Sequence, residues 1–374
     1  MSFRAQLKLY PQVEIQDKIN SAQPVQIDRA LQQQRINLDD FAVLLSPNIT
    51  DRQLEQMAQR SQKVTRQRFG RVILLYAPLY LSNECHNGCR YCGFNAENQL
   101  LRHTLTIEEI EREARFLRRQ GFRHMLLLTG EAPEVADINY LEQAVKIIKH
   151  HCGSVSIEVF PMDTTGYQSM VTAGVDGLTL YQETYDEELY QDLHPYGPKS
   201  DYDYRLSAPE RAGEAGLRKI GVGSLLGLGN GLSDVFYSGL HALYLARKYW
   251  RTQVSVSFPR LRPAEGGYQP NSLISDRQLT QFICAMRLLI PDAGLVLSTR
   301  EDAELRDNLL PLGITQMSAG SCTAPGGYGK ENHEGEQFEV SDHRSAAEVE
   351  KLLISRGYEA VWKDWDIAFL NEAS

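Results

Sequence analysis

Val72-Ile73-Leu74-Leu75-Tyr76-Ala77-Pro78-Leu79-Tyr80-Leu81, followed by the loop Cys85-His86-Asn87-Gly88-Cys89-Arg90-Tyr91-Cys92, decides how the chain is read. The first segment is an apolar run that reads as a buried strand. The second spaces three cysteines as C-x3-C-x2-C with no fourth nearby. Three thiolates so placed can converge on one corner of an iron–sulfur cube, whose usual complement is four, one per iron. With three, one iron stays open to an outside ligand, as a catalytic zinc keeps a position that a structural zinc closes. An open iron signals chemistry rather than scaffolding. The competing reading is a zinc site of three cysteines completed by His86 or a distant residue. Zinc loops usually bring two separated C-x2-C pairs, and this chain has no second pair.

The 374 residues are 42% hydrophobic, enough for a substantial core. That length admits two small domains or one large α/β barrel with appendages. A formal charge of −9 argues against a general binder of nucleic acid or acidic membrane. Met1-Ser2-Phe3-Arg4-Ala5-Gln6 lacks an apolar signal core, and no apolar run is long enough to span a bilayer. Six cysteines without a secretory signal read as reduced thiols, so a cytoplasmic location is expected. Cys152, Cys284 and Cys322 are isolated. Cys284, among Phe282, Ile283 and Met286, reads as a small core residue.

Apolar strand-like runs alternate with amphipathic helices from Arg71 onward. Thr106-Ile107-Glu108-Glu109 makes a capping box, and Ile107, Ile110, Ala114 and Leu117 line one helical face until Gly121. Strands are expected at Val72–Leu81, His124–Thr129, Ser154–Phe160, Val175–Tyr181, Arg218–Leu226, Val254–Phe258, Gly294–Ser298 and Ile314–Ser318. The clearest helices between them are Asp234–Trp250 and Asp276–Ile290. Eight βα units predict a parallel (β/α)8 TIM-type barrel over residues 71–321. The runner-up is an open barrel of six strands with appended elements. Residues 1–70 are expected to form a helical extension wrapping the outside or bottom. Residues 322–374 are expected to form a C-terminal extension beginning in the flexible loop Pro325–Gly329.

In such a barrel, function sits on the loops after the strands' C-terminal ends. Those loops carry Thr129-Gly130-Glu131, then Glu158, then Tyr181-Gln182-Glu183-Thr184-Tyr185. They continue with Ser224-Leu225, Phe258-Pro259-Arg260-Leu261-Arg262-Pro263-Ala264, Leu297-Ser298-Thr299-Arg300-Glu301 and Ser318-Ala319-Gly320-Ser321. Two arginine loops and a serine-rich loop suit an amino-acid carboxylate, because a guanidinium grips both carboxylate oxygens at once. Two alternatives stand beside this: Arg260 and Arg262 as a structural pair holding the rim, and Tyr181–Tyr185 as an ordinary solvated loop. Gly221-Val222-Gly223 fails as a dinucleotide fingerprint, since no Gly-rich turn links the first strand to a phosphate-facing helix.

The cysteine loop with Cys89-Arg90-Tyr91-Cys92-Gly93-Phe94 resembles the signature of the radical S-adenosylmethionine (SAM) enzymes. Together with the 181–185, 258–264 and 297–301 segments, it resembles the 2-iminoacetate synthase family from about residue 65 onward. That resemblance implies a [4Fe–4S] cluster on Cys85, Cys89 and Cys92, with SAM chelating the open iron. It implies SAM contacts at Gly130, Glu131, Glu158, Gln182, Arg205 and Leu225, although Thr129 stands where the family has a first glycine. Substrate contacts are implied at Glu183, Arg260, Arg300 and Ser318, with Arg300 and Ser318 as the carboxylate-holding pair. The implied reaction reductively cleaves SAM to a 5′-deoxyadenosyl radical and methionine. Hydrogen abstraction from L-tyrosine then breaks its Cα–Cβ bond, giving 2-iminoacetate and p-cresol for the thiazole of thiamine.

Implied partners are the thiazole synthase that consumes the imine and a low-potential one-electron donor such as flavodoxin. Candidate contact surfaces for the synthase are the Pro325–Gly329 loop and the aromatic terminus at Trp362 and Trp365, where tryptophans that merely pin the tail are the alternative. A tyrosine lyase with a second, C-terminal cluster is not expected, since no cysteine follows Cys322. Biotin-synthase chemistry is not expected either, as the remaining cysteines lie off the strands. A tryptophan lyase and a non-turnover cluster sensor remain as alternatives.

Overall fold

A computed structural model describes residues 1–330 and 334–362. Nine parallel strands form one sheet: β1 Val72–Ser82, β2 His124–Thr129, β3 Ser154–Glu158, β4 Gly177–Thr179, β5 Lys219–Gly223, β6 Gln253–Ser257, β7 Gly294–Leu297, β8 Gln316–Ser318 and β9 Glu359–Val361. The first eight run in sequence order, and β1 pairs with both β2 and β8. The barrel is therefore closed with eight strands, and the six-stranded alternative falls. Several expected strands were drawn too long: Val175–Tyr181 contracts to Gly177–Thr179 because its flanks turn into loops that carry the site.

The strands segregate by polarity in a way a filled barrel would not. Successive side chains point to opposite faces. The outward set of Val155, Ile157, Ile220, Val222, Val256, Leu295 and Leu297 is buried in the main core. The alternate positions, including Ser156, Thr179, Gly221, Ser255, Gly294 and Gln316, border a cavity of about 290 Å³ in the lower lumen. Barrel interiors are ordinarily packed with layers of bulky branched residues. Here glycine, serine and threonine leave the middle hollow.

Helices form where the caps dictate. Thr106 Oγ1 accepts from the Glu109 amide, and the Glu109 carboxylate accepts from the Thr106 amide, opening the helix Ile107–Arg119. The helix Gly231–Lys248 begins earlier than its apolar pattern because Asn230 caps it. The first seventy residues make five helices packed on the barrel's outer helices. Phe3 is wholly buried, its ring stacked on His241 at 3.8 Å between centroids. Phe69, at the end of the helix Asp51–Phe69, borders the lower lumen.

The C-terminal segment departs most from expectation. Residues 323–330 and 334–342 cross the mouth of the barrel: Gln337 N donates to Thr323 O, Glu339 N to Pro263 O and Ser341 N to Thr299 O. Pro325–Gly327 is buried rather than a free flexible loop, and the Tyr328 ring stacks on Phe116 at 5.9 Å. β9 pairs with the foot of β1, a strand of three residues too short to show in the sequence. Trp362 meets Phe122 edge-on at 5.3 Å and donates to Glu350 at 2.9 Å, as a residue pinning the tail would; Trp365 lies outside the described residues.

The crossing segment is anchored by a fully buried ion pair, Arg306 with Asp342, while Arg306 also donates to Ser318 O and Arg344 joins Asp342 to Asp307. Removing one member of such a pair leaves an uncompensated charge in the core. Asp342→Asn should lower unfolding free energy by about 3–5 kcal/mol, read as a fall in the urea midpoint. The double change Arg306→Met with Asp342→Leu should recover part of that loss; equal midpoints for wild type and Asp342→Asn would show that the pair does not anchor the segment.

Candidate active site

The cysteine loop is seated on the end of β2. A β-carbon on Gly130 would collide with the Glu84 carbonyl and press on Cys85 Cβ, so only glycine lets the loop lie this close. His86 N donates to Glu131 O at 3.1 Å. Asn87 Nδ2 donates to the Glu131 carboxylate at 3.2 Å and stands 3.6 Å from Cys85 Sγ. Gln337 Nε2 stands 3.8 Å from Cys92 Sγ. Cys89 is buried with Tyr91, Leu193, Leu225 and Leu228. Burial raises its thiol pKa well above the ordinary value, against the pull of Lys199.

N–H donors beside sulfur, in an apolar setting with a nearby cation, are the levers that tune an iron–sulfur cluster. A cluster, whose irons take separate thiolates, can be held by the three cysteines of this loop.

Beneath the loop lies a buried charge network. Arg205 Nη1 donates to Glu131 at 2.8 Å, its Nε donates to Tyr181 O at 2.8 Å, and its Nη2 lies 3.5 Å from Glu183. Lys199 Nζ pairs with Glu183 at 2.6 Å and lies 5.6 Å from the centre of the Tyr91 ring. Glu183 has φ 72°, the one non-glycine residue among those described in the left-handed region. Such a conformation persists only where surroundings over-determine it; here Leu225 N donates to Glu183 O and Lys199 holds the carboxylate. Burial alone would raise the pKa of Glu183, but Lys199 and Arg205 outweigh it and hold it below the ordinary value.

Further down the lumen, Arg300 sits with its guanidinium carbon 3.4 Å from the centre of the Phe338 ring. Its side chain makes no hydrogen bond among the described residues. Burial lowers its pKa, opposed by Tyr80, Glu183 and Glu158. Ser318 Oγ accepts from Thr299 N at 3.1 Å, so it steadies the turn that bears Arg300. Tyr80 donates to Gln337 Oε1 at 2.8 Å.

Arg260 is committed elsewhere. It donates to both oxygens of Glu301, to Ile274 O at 2.8 Å and pairs with Asp276 at 2.8 Å. That favours the rim-clamp alternative over a substrate role. Among the described residues, Thr129 Oγ1, Gln182 Nε2, Arg262 Nε and Ser321 Oγ, at or after strand ends, are buried polar atoms without a hydrogen-bond partner, as are others elsewhere in the fold.

The fold and this mouth define a radical SAM barrel enzyme: the Radical SAM superfamily model matches residues 79–235, and the Biotin and Thiamin Synthesis associated domain matches residues 257–359. The second match spans the last barrel strands and the mouth-crossing segment. The chain is 43% identical to the 2-iminoacetate synthase of Salmonella typhimurium and 44% identical to that of Escherichia coli, covering 96% of this chain and 96% of each of those. It belongs to the 2-iminoacetate synthase family and is a lyase. Among solved structures, the FeFe-hydrogenase maturase HydG from Carboxydothermus hydrogenoformans superposes with a TM-score of 0.89 at 34% identity, covering 96% of this chain and 84% of that one.

The sequence reading missed Lys199, Gln337, Phe338 and Tyr80. Lys199 lies in a polar loop between helices, and Gln337 and Phe338 fall in the segment read as lying outside the barrel. Nothing in their local pattern marks them; only the alternation Tyr76, Tyr80 along β1 hinted at lumen-facing aromatics.

Glu158, at the end of β3, has its pKa raised to about 7 by burial and then by the charge of Glu183, with Arg300 opposing. The unfolded chain releases this proton near 4.5, while the folded protein holds it to about 7. The folded state thus binds more protons in that window, and its stability falls as pH rises from 4.5 to 7. Glu158→Gln should remove this share, giving a flatter stability-against-pH curve and higher stability than wild type at pH 8. Parallel curves for the two proteins would refute the assignment.

Proposed function

We propose that this chain cleaves the Cα–Cβ bond of L-tyrosine to 2-iminoacetate and p-cresol, for the thiazole of thiamine. The observation that carries this is Arg300: a guanidinium without a hydrogen-bond partner among the described residues, deep in a chamber with Glu158, Tyr80 and Tyr181, suits an amino-acid carboxylate. The family membership and the thiamine-associated second domain support the same reading. When bound, a [4Fe–4S] cluster and SAM supply a 5′-deoxyadenosyl radical by one-electron cleavage of a sulfur–carbon bond. Cys85, Cys89 and Cys92 would hold the cluster, and the mouth around Gly130, Glu131, Gln182, Glu183, Arg205 and Leu225 would hold SAM.

Arg300 orients the substrate by its carboxylate, and Ser318 fixes the turn beneath it. Phe338 lies over one face of the guanidinium and narrows its access to water, which strengthens the charge contact. Glu183 stays ionised beside Lys199, whereas Glu158 titrates near neutrality, so the two carboxyls are pushed toward different roles. Glu158 is the chamber group able to take or release a proton at working pH.

The imine product hydrolyses readily in water, which favours direct transfer to the thiazole synthase that consumes it. A low-potential donor such as flavodoxin would supply the electron.

Two outcomes test the reading. Cys89→Ala should lose the cluster, measured as bound iron and sulfide with visible absorbance, and make no 5′-deoxyadenosine; Cys284→Ala should keep both. Arg300→Lys replaces a two-pronged donor by a point charge and should cost about 2–4 kcal/mol in kcat/KM for tyrosine with SAM binding little changed. Unaltered tyrosine kinetics would remove Arg300 from substrate binding and turn attention to Arg262.

A further inference from the structure

The hollow lower lumen has no part in the reading above. Its cavity of about 290 Å³ extends to the strands' N-terminal ends, where Lys219 and Asp292 stand at the rim. An apolar cavity of about 150 Å³ is enough to take up benzene, so a substituted ring has room. Tyr76 and Tyr181 border this cavity. Tyr76, level with Ser318 where β1 pairs with β8, and Tyr181, just after β4, stand at the upper end of this cavity and form a diaphragm between the upper chamber and the lower one.

Two features say what the lower compartment would accept. The first is charge. Among its described lining residues the formal charges are Lys219 and Asp292, one of each sign and both at the rim, whereas Arg300 and Arg262 follow strand ends above the diaphragm. A carboxylate gains nothing by descending; a neutral molecule loses nothing. The second is His124. It is buried and borders the cavity; its Nδ1 is fully enclosed, while its Nε2 makes no hydrogen bond among the described residues and is the ring nitrogen left accessible. Burial, with Lys219 and Lys149 adding, keeps its pKa well below the ordinary value, so the ring is neutral. A neutral imidazole nitrogen accepts a hydrogen bond from a phenolic hydroxyl. The Tyr76 ring meets His124 edge-on at 6.2 Å, and Phe69 adds a further aromatic wall.

We propose that the lower lumen is a second binding compartment, one for a small uncharged phenol, and that it sorts products by charge. The carboxylate-bearing product stays with the arginines above the diaphragm, and the phenol passes below it and leaves at the barrel's foot. The identity of that phenol as p-cresol rests on the tyrosine reading; the compartment's preference does not.

The test uses the cluster-loaded protein with SAM and without tyrosine, titrated calorimetrically with p-cresol and, separately, with toluene. Saturable one-to-one binding of p-cresol is expected, at least tenfold weaker in Thr179→Leu with Ser255→Leu, which fill the cavity. Cluster absorbance and SAM affinity should be unchanged. His124→Leu alone, which changes little volume, should abolish the preference for p-cresol over toluene, and it serves where the filled variant does not fold. The proposal is overturned if filled and wild-type proteins bind p-cresol equally, or if Arg300→Lys removes that binding while filling does not. Should tyrosine prove not to be cleaved while p-cresol still binds and is lost on filling, the compartment stands and the tyrosine reading falls.

Discussion

A guanidinium without access to water must find its partners within the protein, and Arg205 finds them on the loops after two different strands. It reaches Glu131 after β2, the Tyr181 carbonyl after β4 and the Glu183 side chain. Burying such a charge costs several kcal/mol unless the geometry of its partners is good. That cost enforces a single arrangement of the strand ends. Glu131 then holds Asn87 and His86, so the cysteine loop inherits its position from the same charge. Lys199 completes the chain by holding Glu183 in a backbone conformation it would not adopt alone. The cysteines supply the chemistry of the mouth, while the charges beneath them supply its shape.

The top of the barrel is finished by residues distant in sequence. Gln337 touches both Cys92 and Tyr80, and a β-carbon on Gly93 would collide with the Gln337 carbonyl, so this segment lies directly on the cysteine loop. Phe338 lies on Arg300. A reactive radical demands exclusion of water and of quenching groups. The crossing segment meets that demand through backbone hydrogen bonds and one buried ion pair, a fixed cover over the chamber.

The interior of the barrel mixes small polar residues with apolar ones and is partly empty, while its outer face carries the main apolar core. Stability therefore comes from the layer between strands and helices, and the lumen is freed from packing. Tyr76, Tyr80 and Tyr181 divide that space, and Glu158 lies within reach of all three. The charge asymmetry between the upper and lower halves follows from which strand positions carry arginine and which carry serine or glycine.

Much of this was legible in the chain. The βα alternation gave eight strands in order, because apolar outward faces and capped helices leave strong local periodicities. The three cysteines and the polar strand ends marked the mouth, since their spacing and register are properties of the sequence itself. Register between β7 and β8 sets Ser318 beside the turn that bears Arg300, its hydroxyl on the Thr299 amide. What the chain could not disclose were the partnerships: that Arg260 spends its donors on Glu301 and Asp276, that Lys199 belongs to the site, and that the segment after Ser321 crosses the mouth instead of hanging outside it. Hydrogen bonds and ion pairs between residues far apart in sequence leave no local periodicity. They are settled only when barrel closure brings the strand ends to one rim and each buried charge must find a partner there.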